Sequence, residues 1–336
     1  MSPIMNLEKE LKPYKKLVED EIWRYLNQRE KPRELYDLLK ELFRRGGKRI
    51  RPVMALLCCE AMGGECKKTI KTATSIEMIH NFSLIHDDIV DLSELRRGEP
   101  CLHHMFGEPL AINAGDGLFS LAFEVLVDNF DHLDDKTAKR VFKIMANVVT
   151  HICEGQAMDI SWSKNKRHDI TEEDYFRMLE GKTGGLISAS CEAGAVIGGG
   201  NEKKVEALTE FGHALGIAFQ IHDDVLNLTG SEERYGKEIG GDINEGKRSL
   251  ITIYTLNVCT PEEKKRLTKI LDKERNSNDE VNEALDIINS YGSIERATKK
   301  ANDLIREGKS GLDSLPDSHA KSLLLEIADY FVRREV

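Results

Sequence analysis

Proline is scarce in this chain: there are eight among 336 residues, and none lies between Pro109 and Pro261. A stretch so poor in helix breakers is free to run as long helices. Aromatic residues make up only 6% of the chain and apolar–polar alternation is rare, so a fold built on sheets has little to draw on. Positive charge is in deficit, with a formal net charge of −10, which argues against nucleic acid as the main partner. The seven cysteines (Cys58, Cys59, Cys66, Cys101, Cys153, Cys191 and Cys259) are odd in number and contain no CxxC pair. Reduced, mostly structural thiols are expected, with no zinc site. No run approaches about 18 apolar residues, and the N-terminal residues hold no signal-like apolar core. The expectation is a cytoplasmic protein without a transmembrane segment, any membrane contact being peripheral.

What is present is ordinary for a soluble chain, 40% apolar and 32% charged, with no linker or composition break, so residues 1–336 are read as one all-α domain. Charged amphipathic patterns cover 7–27 and 33–43. Arg51-Pro52 opens an apolar run, 53–62, with proline at a tolerated first-turn position. Residues 69–92 form a long pattern, 96–107 a loop, and Pro109 starts another apolar helix. A helix is expected over 135–154, and Thr171-Glu172-Glu173-Asp174 reads as a capping-box start. Gly181-Lys182-Thr183-Gly184-Gly185 breaks the next helix, through close packing or a kink. A helix over 205–228 precedes a charged, glycine-rich loop at 229–247, and Thr260-Pro261 marks a further N-cap.

The chemistry concentrates at Asp87, Asp88 and Asp91, at the end of the third of these long patterns. On a helix, Asp87 and Asp91 lie one above the other with Asp88 beside them, an arrangement of like charges that calls for a cation. Oxygen-only ligands suit Mg²⁺, and the following Arg96 and Arg97 suit phosphate. Gln220-Ile221-His222-Asp223-Asp224-Val225-Leu226-Asn227-Leu228 repeats the earlier segment, residues 84–92, at five of nine positions. Two helices with paired carboxylates are expected to face a cavity and hold several metals around one polyphosphate. Arg44-Arg45-Gly46-Gly47-Lys48-Arg49-Ile50-Arg51 packs five positive charges into eight residues, which suits a small polyanion in one cleft. His86 and His222 are read as structural, Arg44, Arg45 and Arg49 as solvated, and Gln156 and Asp159 as packing residues of their helix.

In order and spacing, Gly46-Gly47-Lys48-Arg49-Ile50-Arg51-Pro52, Glu77-Met78-Ile79-His80, the Asp87–Asp91 motif, Arg96-Arg97-Gly98, Gly155-Gln156, Lys182-Thr183, Phe219-Gln220, Asp223-Asp224, Lys237, Asp242 and Gly246-Lys247 resemble the trans-isoprenyl (polyprenyl) diphosphate synthases. The resemblance implies a single large helical bundle around a deep central cavity (the isoprenoid synthase fold), working as a homodimer. It implies head-to-tail condensation of isopentenyl diphosphate with an allylic diphosphate, using Mg²⁺, three per active site. By the family pattern Asp87, Asp91 and Asp223 are metal ligands, with Asp88 and Asp224 in support. Arg96, Lys182 and Lys237 contact the allylic diphosphate; Lys48, Arg51, His80 and Arg97 cradle isopentenyl diphosphate, with Lys247 a further candidate. Thr183 and Gln220 stabilise the carbocation through their oxygens, and the departing diphosphate serves as base. Asn227 departs from the pattern, which has aspartate there, and brings no charge to a metal.

A terpene cyclase shares the fold but needs no second diphosphate site, against which stand the Gly46–Arg51 segment, His80 and the second aspartate pair. A phosphohydrolase using His80, His86 and Asp87 with a transition metal lacks further His-Asp pairing here. Product length is read from Phe82 and Ser83, five and four residues before Asp87 and so about 6–7.5 Å further down the helix. An aromatic floor below a small residue resembles the geranylgeranyl (C20) synthases. Farnesyl (C15) and geranylfarnesyl (C25) products are the alternatives, Met78 and Ile79 offering a deeper stop.

Overall fold

A computed structural model describes residues 3–229, 240–273 and 275–333. The proline-poor chain is helical almost throughout. Ten helices lead up to the second aspartate pair: α1 (Pro3–Asn27), α2 (Arg33–Arg44), α3 (Ile50–Ala61), α4 (Ile70–Val90), α5 (Leu102–Phe106), α6 (Glu108–Val127), α7 (Asp135–Lys164), α8 (Glu172–Leu179), α9 (Gly185–Ile197) and α10 (Glu202–Thr229). The rest of the described chain is also helical, from Gly241–Asn244 to His319–Arg333. The chain divides into two compact units, one of Met1–Asn147, Ala189–Thr209 and Ser314–Leu324, the other of Val148–Ser188, Glu210–Asp313 and Leu325–Val336.

In the first unit α1 buries one stripe, Leu7, Leu11, Val18, Ile22 and Leu26, at helical spacing. The centre is α4, which packs against α1, α3 and α6 and is buried continuously from Thr72 to Ile79. A helix buried on every side tolerates polar groups only where they find partners, and this one carries Glu77, Asn81 and Asp88 inside. Helix α3 is buried from Pro52 to Cys59. It meets α9 backbone to backbone: a Cβ on Gly194 would stand 2.1 Å from the Ala55 carbonyl oxygen.

Several expectations need revision. The loop over 96–107 contains a two-residue hairpin, Leu95–Arg96 against Glu99–Pro100, and then α5. Arg97 and Gly98 at its tip have φ of 58° and 80°, both positive as a type I′ turn demands. Helix α7 runs ten residues past the expected end, through Gly155, because nothing in 155–164 breaks it. Glu108–Asp131, with a mean hydropathy of 1.5, is long and apolar enough to cross a membrane. The sequence reading saw no such stretch because Asp116 and Glu124 interrupt it. It packs on α2 and α4, and 44% of its most apolar window is buried. The glycine-rich break at 181–185 is a π turn, Glu180–Gly184, between α8 and α9. The capping boxes at Thr171–Asp174 and Thr260–Glu263 form as the sequence indicates.

Gly194→Ala forces α3 and α9 apart against a backbone carbonyl, and overpacking of this kind costs about 1–3 kcal/mol. Urea unfolding should show that loss; an unchanged midpoint would mean that the two helices are not held at this distance.

Candidate active site

In the first unit α4 delivers the acidic motif to its own C-terminal end. Asp87 and Asp88 occupy the last turn and Asp91 is the C-cap residue, φ −84°. The negative end of the helix dipole already lies there, so three more carboxylates raise the demand for a cation. The helix stops sharply: Ser93 N–H donates to the Asp88 carbonyl at 2.9 Å and Leu92 N–H to that of Ile89 at 3.3 Å, with Leu92 left-handed at φ 51°. The three side chains have different situations. Asp88 is buried and paired with Arg96, whose Nε donates at 2.8 Å and whose Nη2 makes a second contact. Asp87 is half-buried and Asp91 exposed. Among the described residues no three His, Cys, Asp or Glu side chains converge as a ready-made metal cage. Carboxylates without soft ligands, at a negative helix end, fit a hard divalent cation whose other ligands are phosphate and water.

His86 is structural, as expected. Its Nε2 lies 3.3 Å from the Ile112 carbonyl oxygen and its ring edge meets Phe82. A Cβ on Gly115 would fall 2.2 Å from that nitrogen, so α6 needs glycine here to pass the imidazole.

The basic segment between α2 and α3 sorts differently from the sequence reading. Arg44 is 64% exposed and solvated, as expected. Arg45 is not: it donates to the Pro100 carbonyl at 2.9 Å and its side chain is covered. Arg49 is the larger correction. It is 3% exposed, left-handed at φ 52°, and donates from Nη1 to Glu77 at 2.7 Å. Its partner sits 28 residues away on α4, out of reach of a local reading. Lys48 is exposed. Arg51 Nη1 donates to His80 Nε2 at 3.3 Å, and its Nε is buried without a hydrogen-bond partner among the described residues. Burial lowers the Arg51 pKa. The same desolvation, and then the Arg51 and Arg97 charges, hold His80 well below the usual imidazole range, so its ring is neutral at physiological pH. A covered guanidinium N–H with no acceptor beside a neutral histidine is a site that an anion would complete.

In the second unit a hydrogen-bonded chain joins three elements. Thr183 in the π turn donates to Gln220 Oε1 at 3.1 Å. Gln220 Nε2 donates to Asp224 Oδ1 at 3.0 Å, and the Tyr175 hydroxyl donates to Asp224 Oδ2 at 2.8 Å. Burial, followed by the Asp242 charge, pushes the Asp224 carboxyl up to about 7, while the Gln220 and Tyr175 bonds hold it down. Asp224 is thus a buried brace and the half-buried Asp223 the outward member of the pair. Tyr175 escaped the sequence reading; its only signal was a tyrosine in an amphipathic turn, whose hydroxyl needs a partner once buried. Lys182 pairs with Asp159 of α7, which is therefore more than a packing residue. The π turn lies against α7 at glycine distance, for a Cβ on Gly181 would meet the His151 carbonyl at 2.5 Å.

Asn227 lies one turn beyond Asp223 on α10. It is buried, its Oδ1 accepts the Asp242 N–H at 3.0 Å, and its carbonyl accepts the Gly240 N–H at 2.9 Å. The amide latches the chain entering Gly241–Asn244 and is committed there. Lys247 pairs with Asp242 at 3.0 Å and Glu245 at 2.6 Å. Lys237 lies outside the described residues.

The polyprenyl synthetase family model matches residues 32–288. The chain is 43% identical over 306 residues to the short chain isoprenyl diphosphate synthase of Methanothermobacter thermautotrophicus, covering 90% of this chain and 91% of that protein. It is 40% identical to the geranylgeranyl diphosphate synthase of Methanosarcina mazei, over 91% of each. Among solved structures, the geranylgeranyl pyrophosphate synthetase from Pyrococcus horikoshii superposes with a TM-score of 0.93 at 38% identity, covering 98% of this chain and 99% of that one.

Asn227→Asp keeps the oxygen that caps Asp242 and, at a pH low enough to hold the added buried carboxyl neutral, should leave thermal stability nearly unchanged. Asn227→Leu strands a buried N–H and should cost about 1–2 kcal/mol. Equal stability of the two variants would refute the latch.

Proposed function

Because the chain belongs to the polyprenyl synthetase family, we propose that it is a cytoplasmic homodimer that joins isopentenyl diphosphate head to tail to allylic diphosphates and stops at geranylgeranyl diphosphate (C20). The observation that carries the reading is the covered Arg51–His80 pair with its unmatched N–H. It supports a diphosphate site made of fixed cations, separate in kind from the acidic motifs. A cyclase that ionises one substrate has no use for such a site.

In this reading Lys48, Arg51, His80 and Arg97 hold isopentenyl diphosphate, and Arg96, Lys182 and Lys237 the allylic diphosphate. Asp87, Asp91 and Asp223 are the side chains that would bind Mg²⁺, with Asp88 and Asp224 behind them. Bound there, Mg²⁺ would neutralise charge developing on the leaving diphosphate. As the allylic C–O bond breaks, the isopentenyl double bond attacks the resulting carbocation. A proton then leaves to the released diphosphate, so no protein nucleophile or base is required. Thr183 and Gln220 turn oxygen atoms toward that cation, and their mutual hydrogen bond fixes both. The homodimer is supported by apolar side chains left uncovered along α6 and just after it, Leu110, Ile112, Val127 and Phe130.

Product length rests on Phe82 and Ser83. Phe82 is 8% exposed and its ring meets Phe119 edge-on at 5.1 Å; Phe119 meets Phe123, which meets Phe142. The floor is thus the first ring of an aromatic ladder, held in place from behind. Ser83 folds its hydroxyl back onto the His80 carbonyl at 2.8 Å and adds no bulk above it.

Asp87→Ala and Asp223→Ala should each lower kcat by roughly a hundredfold or more while the fold persists. Near-normal turnover of either variant at saturating Mg²⁺ would sink the metal assignment. Phe82→Ala should lengthen the product, with Phe119 as the next stop, and Ser83→Phe should shorten it toward C15. Chromatography of the products checks both; a stable, active Phe82→Ala protein with an unchanged product distribution would put the floor elsewhere.

A further inference from the structure

Of the segment Glu77-Met78-Ile79-His80, His80 has a place in the cradle, whereas Glu77 faces the buried Arg49. Glu77 lies in the middle of α4, 2% exposed, where an unpaired carboxylate is not tolerated. Its Oε1 accepts from Arg49 Nη1 at 2.7 Å and from Asn81 Nδ2 at 2.8 Å. Asn81 is itself fully buried, and its Nδ2 also donates to the Glu77 carbonyl at 2.7 Å. With the amide nitrogen fixed twice, Oδ1 points the other way, 3.5 Å from Arg97 Nη2. Arg97 Nη1 closes the circuit on the Gly46 carbonyl.

The circuit encloses Gly47. A Cβ there would fall 2.8 Å from Arg49 Nη1 and 3.1 Å from Arg97 Nη2, so the two guanidiniums flank the glycine at close range. They repel: burial and then the Arg49 charge weaken the hold of Arg97 on its proton, and Glu77 opposes both. Arg49 and Arg97 are also both left-handed, with φ of 52° and 58°. Two like charges on two unfavourable backbone conformations need something to hold them before any diphosphate arrives. Glu77 is the buried anion in reach.

We propose that Glu77 is a positioning residue for isopentenyl diphosphate: its carboxylate anchors Arg49 as a fixed, buried cation and, through Asn81, sets the angle of the half-exposed Arg97 guanidinium. The proposal rests on the assignment of Arg97 to that substrate. Glu77 touches no substrate; the network runs from a buried carboxylate outward to Arg97, which is exposed.

The test uses the full-length enzyme. Asn81→Ala cuts the link to Arg97 and leaves the Arg49–Glu77 pair intact, so it serves where Glu77→Gln folds poorly. Each folded variant should raise KM for isopentenyl diphosphate about tenfold, with kcat and KM for the allylic substrate within about twofold. Calorimetric affinity for inorganic pyrophosphate, measured without Mg²⁺ to isolate the cation cradle, should fall in parallel. A merely structural role would shift stability without this split. Equal changes in both KM values, or none in a folded Asn81→Ala protein, would overturn the proposal. Wild-type protein that fails to condense isopentenyl diphosphate at all would instead refute the proposed function.

Discussion

Three carboxylates at the negative end of a helix dipole are the constraint on which the first unit depends. Each surface charge at the wrong end costs about 0.3–1 kcal/mol, and mutual repulsion adds to it. The fold buries Asp88 against Arg96. It then turns the chain out of α4 within two residues, at Leu92, instead of letting the helix continue and bury the others. Asp87 and Asp91 are left at the surface of the unit, where a hydrated cation can approach. Helix α4 is closed in by α1, α3 and α6, which hold the motif in place.

The small hairpin after α4 separates two adjacent arginines. Arg96 lies in the first strand and its side chain returns to Asp88. Arg97 occupies the first corner of the type I′ turn, and its positive φ swings the guanidinium toward the Gly46 carbonyl and Asn81. Neighbours in sequence therefore belong to different networks, one anchored on the acidic motif and the other on the basic segment. This supports the proposed assignment of the two to different diphosphates. It depends on Gly98 at the second corner, where φ is 80°.

Much of this was legible beforehand, wherever the cause is local. Helix starts at Thr171 and Thr260, the break at 181–185 and the position of α4 follow from caps, glycines and periodicity within a few residues. What escaped reading depends on partners distant in sequence. Arg49 looks solvated because a cluster of five cations usually is, but carboxylates 28 residues on, at Glu77, and 30 residues back, at Glu19, make its burial tolerable. Tyr175 meets Asp224 across 49 residues. The latch at Asn227 needed the chain 15 residues later to return. Charge interruptions at Asp116 and Glu124 concealed how apolar the segment beginning with α6 is.

The two acidic motifs look like copies in sequence, but their charges differ. In the first, the buried member Asp88 faces a guanidinium, and Asp87 and Asp91 add two more carboxylates. In the second, the buried Asp224 faces a phenol and an amide, neutral donors that compensate its desolvation incompletely, and its carboxyl is pushed up to about 7. Near neutral pH it carries only part of a charge. The third position is Asn227, uncharged and occupied by the Asp242 N–H. The second motif therefore presents little more than the charge of Asp223 to a cation, against Asp87 and Asp91 in the first. In the proposed reading, a divalent ion held by one carboxylate would draw most of its ligands from elsewhere, so occupancy at Asp223 would depend on a diphosphate being present more than occupancy at the first motif would.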